Sequence, residues 1–145
     1  MIAEGWSLAL VAWCLSALAL AFGAYMGLYA LIKPRWVQKL VRLQPDEQGG
    51  GFAEFRATYG GIFFATHIVA LAFTARWILA GGALIGVVAT GACAVISALW
   101  GGLAFGRLIA MWRDGVRTGF NVFSTCFEAV MALATAGPWL LWLFS

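Results

Sequence analysis

The chain has 145 residues, of which 63% are hydrophobic and only 10% are charged, and its formal net charge is +3. Together with a mean hydropathy of +0.92, this composition excludes an ordinary soluble globular protein. The length is about that of four membrane spans of roughly 20 residues each with short connections, which leaves no room for a separate soluble domain. We therefore expect one four-span transmembrane domain over residues 1–145.

Four apolar segments are long enough to cross a bilayer, and they predict an all-α integral membrane four-helix bundle. They extend over about residues 6–32, 52–73, 78–111 and 119–144. The third exceeds what a bilayer requires, so we expect it to tilt or to project into the cytoplasm. Small residues allow other helices to approach closely. The glycines expected to do so are Gly23 and Gly27, the pairs Gly60-Gly61 and Gly101-Gly102, and the group Gly81, Gly82 and Gly86.

A short amphipathic helix is predicted after the first span, over residues 35–43. Pro34 ends the span because the residue before a proline is pushed out of the helical region. In the segment that follows, apolar residues alternate with Arg35, Lys39 and Arg42, which suits a helix lying on the membrane surface. Residues 44–51 are rich in acidic residues and glycine and predict a flexible loop.

The Lys and Arg residues predict the orientation of the chain. Eight of the nine lie in the first loop, the last loop or the adjoining span ends, and only Arg76 lies elsewhere. The eight are Lys33, Arg35, Lys39, Arg42, Arg56, Arg107, Arg113 and Arg117. Loops rich in Lys and Arg stay in the cytoplasm, so we expect both termini to be periplasmic. Charges at span ends favour membrane lipids as partners and argue against nucleic acid.

Glu128 is the most deeply placed acid of the sequence. It lies about nine residues into the fourth span, roughly 14 Å from the cytoplasmic end. Asn121, Ser124 and Thr125 precede it at helical spacing and form one polar stripe with it, which must point into the bundle. A charge at this depth needs a partner or a cavity, and we expect Arg107 to pair with Glu128, with Arg56 as the second choice.

Other polar residues of the spans are expected on the cytoplasmic side as well. On the second span, Arg56, Gly60, Phe63 and His67 share one helical face, and Arg107 and Asp114 share a side of the third. We therefore predict a polar vestibule that opens to the cytoplasm. Its candidate ligand-binding residues are Glu54, Arg56, Tyr59, His67, Arg107, Asp114, Asn121, Thr125 and Glu128.

A purely structural role for these polar groups is the alternative. Arg56 or Arg107 would then pair with Glu128 or Glu54 to fix helix packing, and His67 would donate to a nearby carbonyl. The chain has a single histidine, and its three cysteines lie in separate apolar segments. Neither pattern has the spacing of a metal site, and we expect no metal and no cofactor.

Two stretches carry a resemblance to a known family. They are residues 53–61, with the sequence Ala-Glu-Phe-Arg-Ala-Thr-Tyr-Gly-Gly, and Gly106-Arg107 with Asp114-Gly115 and Glu128 further along. This pattern resembles the bacterial membrane family called domain of unknown function 4345. The resemblance implies a four-helix membrane protein, and it implies no activity.

Three functions are compatible with these features. The first is a multi-pass protein of the bacterial inner membrane that binds a lipid-like or small amphipathic ligand in the vestibule, without catalysis. The second is an accessory subunit of a larger membrane complex or a homo-oligomer, with Gly23/Gly27 and Gly81/Gly82/Gly86 as docking faces. The third is an intramembrane enzyme acting on a quinone or isoprenoid, in which Glu128 transfers a proton and Arg107 holds an anionic headgroup.

Overall fold

The computed structural model describes residues 7–144, and every regular element among them is helical. The all-α prediction is therefore confirmed. The elements are α1 (Leu8–Ile32), α2 (Pro34–Val41), α3 (Gly50–Glu54), a π-helix (Phe55–Ile62), α4 (Phe63–Ala80), α5 (Ala83–Arg113) and α6 (Gly119–Leu143). Helix α3, the π-helix and α4 follow one another without a break and form one long second helix.

Four helices are long and apolar enough to cross a membrane, as the sequence predicts. They are α1, the combined helix Gly50–Ala80, α5 and α6. Helix α5 has 31 residues, which at 1.5 Å per residue is about 46 Å and exceeds the roughly 30 Å of a hydrocarbon layer. The predicted start of the first span near residue 6 lies outside the described residues.

The boundary between the second and third spans differs from the prediction. The sequence placed it at Arg76-Trp77, but α4 continues to Ala80 and the turn is made by Gly81 and Gly82. Their φ angles are +63° and +104°, which side chains with a Cβ rarely adopt. Gly81 and Gly82 are therefore turn residues, and their role with Gly86 as a docking face stays a prediction.

The short helix after the first span is confirmed as α2. Pro34 is its first residue, where the missing N–H of proline costs no hydrogen bond, and Arg42 ends it in the left-handed conformation at φ +58°. Val37 is completely buried, whereas Arg35 and Lys39 are exposed. One apolar side of α2 therefore packs on the protein, and its cationic side is open.

The described residues form two compact units, one of residues 7–19 and 73–144 and the other of residues 20–72. In the first unit, α5 packs along α6, and the Ser97 hydroxyl donates to the Ala132 carbonyl at 2.9 Å. The buried residues of α5 recur every three to four positions and form one stripe. They are Ala89, Cys93, Ile96, Ser97, Trp100 and Ala104.

A small polar cluster joins three segments of this first unit. The Cys93 sulfur lies 3.2 Å from the Ser16 hydroxyl and 3.6 Å from the Thr74 hydroxyl, and all three side chains are buried. Weak hydrogen bonds between buried hydroxyls and a thiol hold neighbouring helices together in an apolar surrounding. The apolar positions of the three cysteines in the sequence predict core residues; Cys93 is one, but Cys126 is exposed, so the prediction is wrong for Cys126.

In the second unit, glycines of α1 lie directly against the second helix. A Cβ on Gly23 would overlap the His67 ring, and one on Gly27 would overlap the backbone of Phe64. The Gly-x-x-x-Gly spacing therefore does allow a close helix approach, as predicted. Because residues of this same chain cover both glycines, they are not an open docking face for another protein.

The double-glycine pairs differ from one another. A Cβ on Gly60 would overlap the Leu31 side chain, so this glycine makes the close contact that the sequence predicts. A Cβ on Gly101 would reach only Ala132, at 3.9 Å, and one on Gly102 would meet nothing within 4 Å. The helix contact expected at the Gly101-Gly102 pair is therefore limited to Gly101, which lies against α6.

Candidate functional site

Glu128 is paired with Arg107, the partner that the sequence favoured. The Arg107 Nε atom donates to both carboxylate oxygens, at 2.8 Å to Oε1 and 2.9 Å to Oε2. The two side chains differ in burial, since 33% of the arginine side chain and 6% of the glutamate side chain are exposed. The buried charge on α6 is therefore neutralised by a residue of the same unit.

The polar stripe on α6 points inward, as predicted. Ser124, Thr125 and Glu128 are buried, whereas the neighbouring Phe123 is exposed. The Thr125 hydroxyl donates to the Asn121 backbone carbonyl at 2.8 Å, and the Asn121 side-chain Nδ2 atom donates to the Val116 carbonyl at 2.7 Å. These polar groups are thus engaged with the backbone of the last loop and the first turns of α6.

Thr135 extends the same stripe by two further turns, and the sequence analysis missed it. It is completely buried, and its hydroxyl donates to the Met131 carbonyl at 2.8 Å. Its spacing of seven residues from Glu128 is the signal that would have found it.

Two of the predicted acids lie at the surface of the described chain. Glu54 is exposed at the end of α3, and Asp114 is exposed just beyond the end of α5. The Asp114 backbone N–H bonds the Ala110 carbonyl and so closes the last turn of the helix. Asp114 thus lies one residue beyond α5, on the extension of the third helix that the sequence analysis allowed for.

The π-helix holds most of the motif that runs from Glu54 to Gly61. Such segments are rare and occur frequently at functional sites. Within it, the Arg56 Nε atom donates to the Leu31 carbonyl at 3.1 Å, and Gly60 lies against the Leu31 side chain. Arg56 is therefore held at the end of α1, and it is not the partner of Glu128. Tyr59 packs against the cluster of Ala30, Val37 and Phe55.

His67 is completely buried in the second unit. Its Nδ1 atom lies 2.8 Å from the Phe63 carbonyl, so Nδ1 carries a proton and donates it to that oxygen. Its ring is stacked on Phe63 with centroids 5.4 Å apart. Arg56, Gly60 and His67 all approach α1, which confirms that they share one face of the second helix.

A cleft of about 610 Å³ opens beside Arg56, and it is the feature of this unit that the sequence analysis did not find. Its lining residues come from the end of α1, from α2 and from the start of the second helix. They are Tyr29, Ile32, Lys33, Pro34, Arg35, Trp36, Lys39, Phe52 and Arg56. Four of these nine are cationic, three are aromatic and none is acidic. We call this feature the basic cleft.

Aromatic contacts shape the wall of the basic cleft. The Tyr29 and Trp36 rings meet edge to face with centroids 5.3 Å apart, and Lys33 Nζ lies 5.6 Å from the centre of the Tyr29 ring. Val37 anchors α2 from the other side by packing with Ala30 and Phe55. The positions of Lys33, Arg35 and Lys39 therefore depend on how firmly α2 is packed.

The described part of the chain holds no group of three or more His, Cys, Asp or Glu residues that could bind a metal ion. Cys14, Cys93 and Cys126 are free thiols. These residues therefore offer electrostatic interactions. The first unit contains the Arg107–Glu128 ion pair, and the second contains the four cations that line the basic cleft.

Four apolar helices of spanning length define this chain as a multi-pass membrane protein. It belongs to the family described as Domain of unknown function (DUF4345), whose model matches residues 11–143. That match contains both the residues of the basic cleft and the Arg107–Glu128 pair. No curated protein and no solved structure is significantly similar to the chain.

Proposed function

We propose that this protein binds an anionic, lipid-like amphiphile at the surface of the bacterial inner membrane, with the headgroup of the ligand in the basic cleft. The observation that carries the proposal is the lining itself, in which four cations surround one cavity without a carboxylate. Cationic residues at a membrane surface each attract anionic lipid by about 1 kcal/mol. Four of them around one cavity favour an anionic headgroup strongly.

The two arginines suit phosphate oxygens in particular. A guanidinium presents planar N–H donors that match phosphate geometry, and the lysines add point charges. Arg56 uses its Nε atom for the Leu31 carbonyl, and this bond orients the guanidinium, whose terminal nitrogens are the donors that we assign to the ligand.

The aromatic and aliphatic residues of the cleft suit the first part of an apolar chain. Tyr29, Trp36 and Phe52 combine apolar surface with a position at the end of a spanning helix, where aromatic residues favour the membrane interface. Ile32 is exposed at the end of α1. An amphiphile would thus place its charge among the cations and its chain along the apolar helix surface.

The concentration of Lys and Arg in two loops supports a cytoplasmic position for the cleft, with both termini periplasmic. In this proposal Arg56 and its neighbours on α2 bind the ligand, and Arg107 and Glu128 have a structural role. The Arg107 Nε–H contacts both oxygens of the buried carboxylate, which favours the role of fixing α5 against α6. The alternative in which Glu128 transfers a proton needs a substrate position beside that carboxylate.

Native mass spectrometry of the protein in a neutral detergent tests the proposal. We expect phosphatidylglycerol to bind more tightly than phosphatidylcholine, and we expect Arg35→Gln with Lys39→Gln to weaken phosphatidylglycerol binding by about tenfold or more. The matched control is Arg113→Gln with Arg117→Gln, which removes two cations that lie outside the cleft. Equal losses in the two double variants would contradict the proposal, since binding would then follow total charge and not the cleft.

A further inference from the structure

We infer that the ligand of the basic cleft carries two phosphates in its headgroup, as in an alkyl or prenyl diphosphate. This inference rests on the proposed function and specifies its ligand class. It starts from the charge of the lining: Lys33, Arg35, Lys39 and Arg56 contribute four positive charges, and no acidic side chain lines the cavity.

The cations on α2 are not balanced within their own helix. Arg35 and Lys39 are four residues apart, so they are neighbours on one helical face, and a like-charge pair at this spacing destabilises a helix. The sequence of α2, Pro-Arg-Trp-Val-Gln-Lys-Leu-Val, contains no acid that could offset the repulsion. A bound anion between the two side chains would remove this cost.

The nearest acids along the chain do not neutralise the cleft. Asp46 accepts the Gly50 backbone N–H at 2.7 Å with its Oδ1 atom, and it therefore serves the start of α3. Glu47 and Glu54 are exposed, and neither lines the cavity. The charge of the cleft is thus left for a ligand.

The other two cations of the lining, Lys33 and Arg56, lie outside α2. Lys33 lies against the Tyr29 ring at the end of α1, and Arg56 is attached to the Leu31 carbonyl. The cations therefore come from two sides, the α2 face and the junction of α1 with the π-helix. One phosphodiester carries a single negative charge and would leave most of the four cations without a counter-charge. Two linked phosphates can contact the cations of α2 and those at the junction of α1 with the π-helix at the same time.

The volume of the cleft agrees with this assignment. A cavity of about 610 Å³ is in the range of sites for small organic ligands, about 300–1,000 Å³, and it is larger than one phosphate would need. The part of the cleft that is lined by aromatic residues suits the first carbons of an apolar chain.

Isothermal titration calorimetry in a neutral detergent tests the inference with a series of probes that share one chain. The probes are farnesyl diphosphate, farnesyl monophosphate, farnesol and inorganic pyrophosphate. We expect the diphosphate to bind about tenfold more tightly than the monophosphate, and the monophosphate more tightly than farnesol. Pyrophosphate should compete, but more weakly than farnesyl diphosphate, because it lacks the apolar chain.

The four affinities distinguish a two-phosphate headgroup from anionic amphiphiles in general. Equal affinity for the monophosphate and the diphosphate would overturn the two-phosphate inference and leave the binding of an anionic amphiphile intact. Equal affinity for farnesol and farnesyl monophosphate would overturn both. Pyrophosphate binding as tight as that of farnesyl diphosphate would overturn the lipid assignment, since the ligand would then be a soluble anion.

Two variants show whether the cleft is responsible. Lys33→Gln should reduce the preference for the diphosphate over the monophosphate by about tenfold, and Lys33→Arg should retain that preference. Arg113→Gln is the charge control and should leave the preference unchanged. Circular dichroism of each variant checks that its helices are intact, and a preference that survives Lys33→Gln in a folded protein would place the second phosphate elsewhere.

Discussion

The two residues of the Arg107–Glu128 pair differ in burial, and this difference has consequences for stability. Glu128 is almost completely buried, whereas a third of the Arg107 side chain is exposed. An arginine without its partner can therefore turn toward water, but a glutamate at the Glu128 position cannot. Loss of the arginine should cost more than loss of the glutamate.

A double-mutant cycle measures this asymmetry. We expect Arg107→Gln to lower the free energy of unfolding in detergent by about 3 kcal/mol or more, and Glu128→Gln to lower it by less. The double variant should be more stable than the sum of the two losses predicts, because it leaves no buried charge alone. Strictly additive losses would show that the two side chains do not interact.

Gly23 gives a second prediction at the scale of one residue. A Cβ at this position would overlap the His67 ring, so Gly23→Ala should cost about 1–3 kcal/mol through overpacking. Gly102→Ala is the matched control, because it lies within α5 and its Cβ would meet nothing within 4 Å. The control should gain about 0.5–1 kcal/mol from the better helix propensity of alanine. Unfolding by denaturant in detergent compares the two, and equal effects would contradict the close approach.

At the scale of the element, α2 decides whether the basic cleft exists. Its first residue is Pro34, which suits the start of a helix, and it ends at Arg42 in the left-handed conformation, which residues other than glycine seldom adopt. Val37 holds its inner side against Ala30 and Phe55. This apolar contact of Val37 determines where Arg35 and Lys39, on the outer side of α2, lie in the cleft.

Val37→Ala tests this dependence. The loss of two buried methyl groups and the cavity that remains should cost about 2 kcal/mol, and binding of an anionic amphiphile should weaken as α2 loosens. Val95→Ala removes the same groups from an exposed position on α5 and should change neither property. Lipid binding by native mass spectrometry and unfolding in detergent are the measurements. Unchanged binding in a measurably destabilised Val37→Ala variant would mean that α2 does not shape the ligand site.

Much of the element structure follows from the sequence, and the exceptions have physical causes. The apolar segments and Pro34 were sufficient to predict four spans and α2. The turn at Gly81-Gly82 was misplaced because Arg76-Trp77 has the composition of a membrane interface, whereas the positive φ angles of the glycines decide the turn. The π-helix was not predicted because Arg56, Gly60 and His67 fit the spacing of an α-helix as well.

The candidate site was predicted only in part. The pairing of Glu128 with Arg107 follows from depth and connectivity, since α5 turns into α6 through a short loop. The basic cleft depends on how α2 packs on its neighbours in three dimensions. Lys33, Arg35 and Lys39 were visible in the sequence only as an orientation signal, and nothing in their spacing shows that they share a cavity with Arg56.

At the scale of the whole molecule, the distribution of Lys and Arg predicts that Gln48 and Gly115 are cytoplasmic and that both termini are periplasmic. Single cysteines at positions 48 and 115, in a background without the three native cysteines, report this orientation. Cys93→Ser is the suitable replacement in the core, because a hydroxyl can keep the contacts with Ser16 and Thr74. We expect no labelling by an impermeant thiol reagent in intact cells, and labelling of either position there would reverse the orientation.

Photo-crosslinking in the native membrane shows whether an anionic amphiphile occupies the basic cleft. A benzoylphenylalanine at position 36 would lie in the wall of the cleft, and one at position 112 replaces an exposed tryptophan outside it. We expect mass spectrometry to find a phosphate-containing amphiphile enriched on the protein labelled at position 36 relative to position 112. The same mixture of bulk lipids at both positions would contradict the claim.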